Sequence, residues 1–202
     1  MPEARLFSQS ARAYIDVVSR IRPDQWDAPG LGVWNVRGLV GHTARAILTV
    51  ENYLEADEPG AISVPDAETY YTTVFEQFTD NEAVAARGVE AGAWLGDNPV
   101  LTLREALERT ENLIAEQPPR RIVSLGGNGM LLEQYLRTRV FELVVHTLDI
   151  CEATGIEHSL PDAAISDTAA LATRIAVARG FGREMLFALT GRAPLPEGFS
   201  VV

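Results

Sequence analysis

The residues best suited to chemistry in this sequence stand in one run, Tyr135 to Cys151, YLRTRVFELVVHTLDIC. Placed on a helix at about 100° per residue, Tyr135, Thr138, Arg139, Glu142, His146 and Asp149 share one arc of roughly 100°. Leu136, Val140, Phe141, Leu143, Val144 and Leu148 take most other directions, the pattern of a helix enclosed by neighbours. The polar stripe is therefore expected to be buried. An ionised Glu in such a place is costly unless something cationic compensates it, so Glu142 needs Arg139, a metal ion or both. Glu142 and His146 are four residues apart, with Cβ atoms about 6 Å from one another, which suits two ligands of one ion and equally a local ion pair. A third ligand from a facing helix is expected at His42, whose alternative role is that of a satisfied core histidine. Zinc accepts such a mixed nitrogen and oxygen set, and three protein ligands leave positions for water or substrate. Asp149 would orient His146 from behind or lie on the surface near the helix end.

The elements that must position these groups are helical, because apolar residues recur at helical spacing and period-2 alternation is nearly absent. A first helix spans about Pro2 to Ile21, followed by a Pro- and Gly-bearing loop from Arg22 to Trp34. Asn35 offers an N-cap for a helix to about Ala56 that carries His42. Shorter helices are expected over Ala67 to Phe78 and Asn81 to Leu95. Thr102 and Glu105 have capping-box spacing for a helix to Gln117, which Pro118 and Pro119 stop. The longest helix runs from about Met130 to Ala153 and ends at Gly155, and a last helical region covers Asp162 to Thr190, bent near Gly180 and Gly182. The sum is an all-α single domain over residues 1–202, a four-helix bundle with a long crossover and short extra helices.

Composition narrows the chemistry. A formal charge of -11 disfavours nucleic acid and anionic membrane as partners. All 17 basic residues are Arg, which removes Schiff-base and lysine general-base chemistry and leaves guanidinium as the cation of any site. The single Cys, Cys151, excludes an intramolecular disulfide and lies across the helix from the stripe, as a small core residue does. No apolar run is long enough to span a membrane and the N-terminus lacks a signal-peptide core, so a cytoplasmic protein is expected.

Several further residues are candidates. Arg139 would neutralise an anionic substrate or thiol cofactor, or else pair with Glu142 or a surface acid. Tyr135 would donate a proton, or only find a hydrogen bond. Arg37 and Trp34 precede His42 closely enough to line the mouth and hold a cofactor, with helix-entry packing as the other role of Trp34. Gly126 to Gly129, GGNG, lacks the Lys-Ser/Thr end of a phosphate loop and is expected to be a flexible turn. His158 lies in a solvated loop.

The stretches WNVRGLVGHT, Trp34 to Thr43, and RTRVFELVVHTLDI, Arg137 to Ile150, resemble the two signature helices of the mycothiol-dependent maleylpyruvate isomerase metal-binding domain, within the DinB-like superfamily. The tail LTGRAPLPEGF, Leu189 to Phe199, is similar to endings in that group. The resemblance implies a DinB-like bundle with a divalent metal, usually zinc, on His42, Glu142 and His146. It also implies mycothiol, the small thiol of actinobacteria, as cosubstrate, with thiol addition to an electrophile as in the isomerase or in related S-transfer. In the isomerase a further α/β domain contributes an Arg, whereas this chain ends soon after its last expected helix, so S-transfer fits at least as well as isomerisation. The expected partners are a small-molecule thiol and an electrophilic substrate, with a homodimer compatible. The competing reading is a non-catalytic binding or stress-related bundle in which Glu142 pairs with Arg139.

Overall fold

A computed structural model describes residues 1–75 and 80–202. Four long helices form the core: α1 (Pro2–Ser19), α2 (Val36–Glu55), α5 (Pro99–Ala115) and α6 (Leu132–Thr154). Each of α1 and α2 packs on both α5 and α6, which closes a four-helix ring. Around it lie α3 (Ala67–Thr69), which runs directly into a π-helical turn at Tyr70–Val74, and α4 (Asn81–Trp94), which packs on α2. On the other flank, α7 (Asp162–Ala178) packs on α6 and α8 (Gly182–Leu189) on α7. The expected end of the third helical stretch, at Phe78, lies outside the described residues.

Local chemistry explains most boundaries. The Asn35 side chain accepts from Gly38 N–H at 2.9 Å and starts α2, as its residue type predicts. Helix α6 ends where Gly155 turns left-handed, with φ 70°, and its N–H reaches the Cys151 carbonyl at 2.8 Å. Helix α5 starts three residues before the expected capping box. Asn98 is the cap, accepting from Leu101 N–H at 3.2 Å with Pro99 in the first turn, while the Thr102 hydroxyl turns back to the Leu95 carbonyl at 3.0 Å. The last helical region is two helices, because the chain turns left-handed at Gly180, φ 90°.

The segment expected to be a flexible turn is a β-hairpin. Strands β1 (Ile122–Leu125) and β2 (Asn128–Leu131) pair antiparallel across Gly126 and Gly127, whose φ values of 60° and 94° suit a two-residue hairpin turn that only Gly adopts at little cost. Strand β2 delivers the chain directly into α6, which begins at Leu132.

Helices α2 and α6 run antiparallel. His42 meets His146 ring to ring at 4.8 Å, and seven residues further along α2 the Thr49 hydroxyl accepts from Tyr135 at 2.8 Å, eleven residues earlier on α6. Helix α4 presses against α2 through glycine: a Cβ on Gly41 would lie 2.1 Å from the Gly92 nitrogen, and one on Gly88 2.6 Å from the Trp34 indole nitrogen. No described helix is long and apolar enough to cross a membrane.

Candidate metal centre

The stripe of α6 faces α2 as the wheel requires. Tyr135, Thr138 and Arg139 are buried, and Glu142, His146 and Asp149 are half-buried where a cavity of about 690 Å³ opens. Across it, α2 presents His42. One nitrogen of each histidine and one Glu142 oxygen lie within 4.8 Å of one another, a spread that a single divalent cation can draw together.

Each of the three is held from behind. His146 Nε2 lies 3.3 Å from Glu142 Oε2, and its Nδ1 lies 3.0 Å from Asp149 Oδ2. A neutral ring donating from Nδ1 to Asp149 presents the Nε2 lone pair to the centre. The Tyr71 hydroxyl, from the π-helical turn, donates to Glu142 Oε1 at 2.8 Å and leaves Oε2 toward His146. Trp34 stacks on the His42 ring at 4.4 Å and 27°, and its indole N–H donates to the Ala85 carbonyl of α4 at 3.0 Å. The Gly88 and Gly41–Gly92 contacts are what let that indole wedge between helices.

The electrostatics suit a cation. Burial pushes the Glu142 carboxyl up, but the hydrogen bond from His146, the charge of Arg139 and the Tyr71 hydroxyl outweigh it and hold the group ionised at about 2. Burial likewise disfavours His146 protonation, yet Asp149 and Glu142 overcome it and raise the ring to about 9. His42 goes the other way, to about 4, through desolvation and then repulsion from His146. Its Nδ1 is buried without a hydrogen-bond partner. A buried lone pair, a carboxylate and a second imidazole fit a divalent metal of zinc type.

The other expected residues divide. Arg139 is 8% exposed and, among the described residues, forms no ion pair with Glu142. Its guanidinium lies over the Tyr135 ring at 4.9 Å and the Tyr70 ring at 6.0 Å, and its Nε donates to Thr138 Oγ1 at 3.1 Å. The Tyr135 hydroxyl is spent on Thr49, and burial raises its pKa above the usual phenol range. Trp34 lines the cavity, but Arg37 does not. Five residues on a helix rotate the side chain by about 140°, and Arg37 instead donates to the Gly92 and Gly96 carbonyls and covers Trp26. His158 is exposed on its loop and Cys151 packs half-buried against the core, with its thiol pKa raised by burial.

Sequence reasoning missed Tyr71, whose role depends on a π-helical register that no local pattern announces. It also missed Arg45 and Arg87, which line the same cavity. Arg45 had a legible signal, since it follows His42 by one turn on the same face.

A family model, the mycothiol maleylpyruvate isomerase N-terminal domain, matches residues 7–151. No curated protein and no solved structure matches the chain.

Proposed function

The chain belongs to the mycothiol maleylpyruvate isomerase N-terminal domain family, and from that premise we propose that it is a metal-dependent enzyme that uses a small thiol, mycothiol by family, against an electrophilic small molecule. The observation carrying this reading is the convergence of His42, Glu142 and His146 beside a cavity of about 690 Å³. His42, Glu142 and His146 would hold the ion, with zinc the best match to the donor set. A divalent cation there lowers the pKa of a thiol brought against it and so supplies a nucleophile at neutral pH.

The protein's own groups do the rest. Asp149 fixes the His146 ring, Tyr71 fixes one Glu142 oxygen, and Trp34 fixes the plane of His42. Together they preset the donor positions before the ion arrives. Arg139 supplies a buried positive charge to the cavity and steadies negative charge that develops on an electrophile during thiol addition. The Tyr135 ring carries that guanidinium, and so acts through Arg139. Trp34 forms part of the wall that receives the thiol. Transfer of the thiol to the substrate and isomerisation through a reversible adduct both use this set.

Metal analysis of protein purified without an affinity tag should find close to one ion per chain, and His146→Ala should lose it. The loaded protein should then consume mycothiol with an electrophile panel that includes a cis-alkene acid and an activated halide. Absence of bound metal after zinc reconstitution would overturn the reading. A non-catalytic bundle would instead lose stability without any change in metal content when His42 is replaced.

A further inference from the structure

The geometry points to an acid-binding subsite one helical turn below the metal centre, in which Arg45 and Arg139 take the carboxylate of an amphipathic ligand whose apolar body lies along Phe75, Val84 and Phe141. This assignment names a ligand class for the proposed reaction cavity, and it rests on that reading of the cavity.

The antiparallel register of α2 and α6 sorts the cavity into layers. His42 faces Glu142 and His146; Thr49 faces Tyr135. Arg45 lies three residues along α2 from His42 and Arg139 three residues back along α6 from Glu142. Both guanidinium-bearing positions therefore fall in the same layer, about 4.5 Å along the axis from the metal ligands. The Tyr135–Thr49 hydroxyl pair forms the next layer down. All of these residues line the one cavity, and Arg87 of α4 joins them there.

This layer holds guanidinium groups that are withdrawn from water without a carboxylate in contact among the described residues. The sequence holds 28 acidic residues against 17 basic ones, so carboxylates are plentiful. Yet among the described residues no acid lies within ion-pair distance of Arg139 or Arg45, and the Arg45 guanidinium has no hydrogen bond. The side-chain carboxylates lining the cavity, Glu142 and Asp149, are engaged by Tyr71 and His146. Arg45 is half-buried, and desolvation, followed by repulsion from Arg87 and Arg139, weakens its hold on its proton. Placing like charges together out of water is unfavourable, and a bound anion relieves it.

The remaining wall sets the ligand's other end. Phe75, Val84, Phe141, Val145 and Leu31 give the cavity a largely apolar lining. A small diacid would leave that surface wet and fill only part of about 690 Å³. An aryl or branched alkyl acid buries it while its head group meets the guanidinium layer.

Isothermal titration of zinc-loaded protein tests the assignment with phenylbutyrate, its primary amide and succinate as probes. Phenylbutyrate should bind at least about tenfold more tightly than either of the others. Arg45→Gln should weaken phenylbutyrate by at least about tenfold with zinc content unchanged, and Arg139→Gln by more. Arg139 is buried, so circular dichroism must show that its variant folds; half-exposed Arg45 carries the test if it does not. Equal affinity for acid and amide, equal affinity for succinate, or an unaffected Arg45→Gln protein would each overturn it. The metal reading fails separately: Arg45-dependent phenylbutyrate binding to a chain that takes up no zinc leaves the acid subsite standing alone. Stoichiometric zinc without acid binding does the reverse.

Discussion

The groove between α1 and α5 and the cavity between α2 and α6 have similar volumes, about 610 and 690 Å³, and both contain guanidinium groups. In the groove, Arg12 is 61% exposed and meets Glu111 at 2.7 Å, an ordinary solvated ion pair across two helices. In the cavity, Arg139 is buried and faces aromatic rings, while the nearby carboxylate is held by a tyrosine and a histidine. Volume does not separate the two places. What separates them is burial: the guanidinium groups of the groove are solvated, whereas Arg45 and Arg139 are withdrawn from water with no carboxylate in contact among the described residues, and there a ligand has most to offer.

Matched substitutions sharpen the contrast. Glu142→Ala should reduce zinc affinity by more than about a hundredfold, measured by competition with a chelator, since it removes a ligand. Tyr71→Phe deletes only the hydroxyl that holds Glu142 and should cost about 10- to 100-fold in the same assay, with the fold preserved. An unchanged affinity would reduce Tyr71 to a packing residue. Proton linkage should give about tenfold per pH unit. In the metal-free protein His146 keeps its proton up to about 9, whereas Glu142 and His42 have lost theirs above about 2 and 4. Between pH 6 and 8, ion binding thus displaces about one proton, from His146, and affinity climbs with pH before levelling off near 9. Calorimetry in buffers of different ionisation enthalpy measures that proton, and a value of zero would remove His146 from the ligand set. The smallest effect belongs to the groove. Arg12→Ala should shift unfolding free energy by no more than about 1 kcal/mol and leave zinc binding unchanged. A loss of metal in that variant would erase the distinction between the two regions.

Much of this arrangement was legible in the sequence. The spacing of Glu142, His146 and Asp149 against an apolar background gave the face of α6, and Asn35 and Gly155 marked two helix ends. Spacing along one helix cannot say which side chain of another element arrives, so Tyr71 stayed hidden until the π-helical turn set its direction. Proximity in sequence misled for Arg37, because five residues carry a helical side chain well around the axis. Of the alternatives for Arg139, direct pairing with Glu142 is not made among the described residues, because the aromatic faces of Tyr135 and Tyr70 and the Thr138 hydroxyl hold the guanidinium. The hairpin was missed because strands of four residues are too short for alternation to register, although Gly126-Gly127 between them is a turn signal.

The Trp34 indole, stacked 4.4 Å from the His42 ring, also makes the protein its own optical probe. Trp26 lies under the Arg37 guanidinium and Trp94 is 41% exposed, so replacing both with Phe leaves one emitter, at the centre itself. Its emission would be quenched by copper or nickel in the ligand set and modulated by zinc, reporting occupancy without dye, tag or substrate.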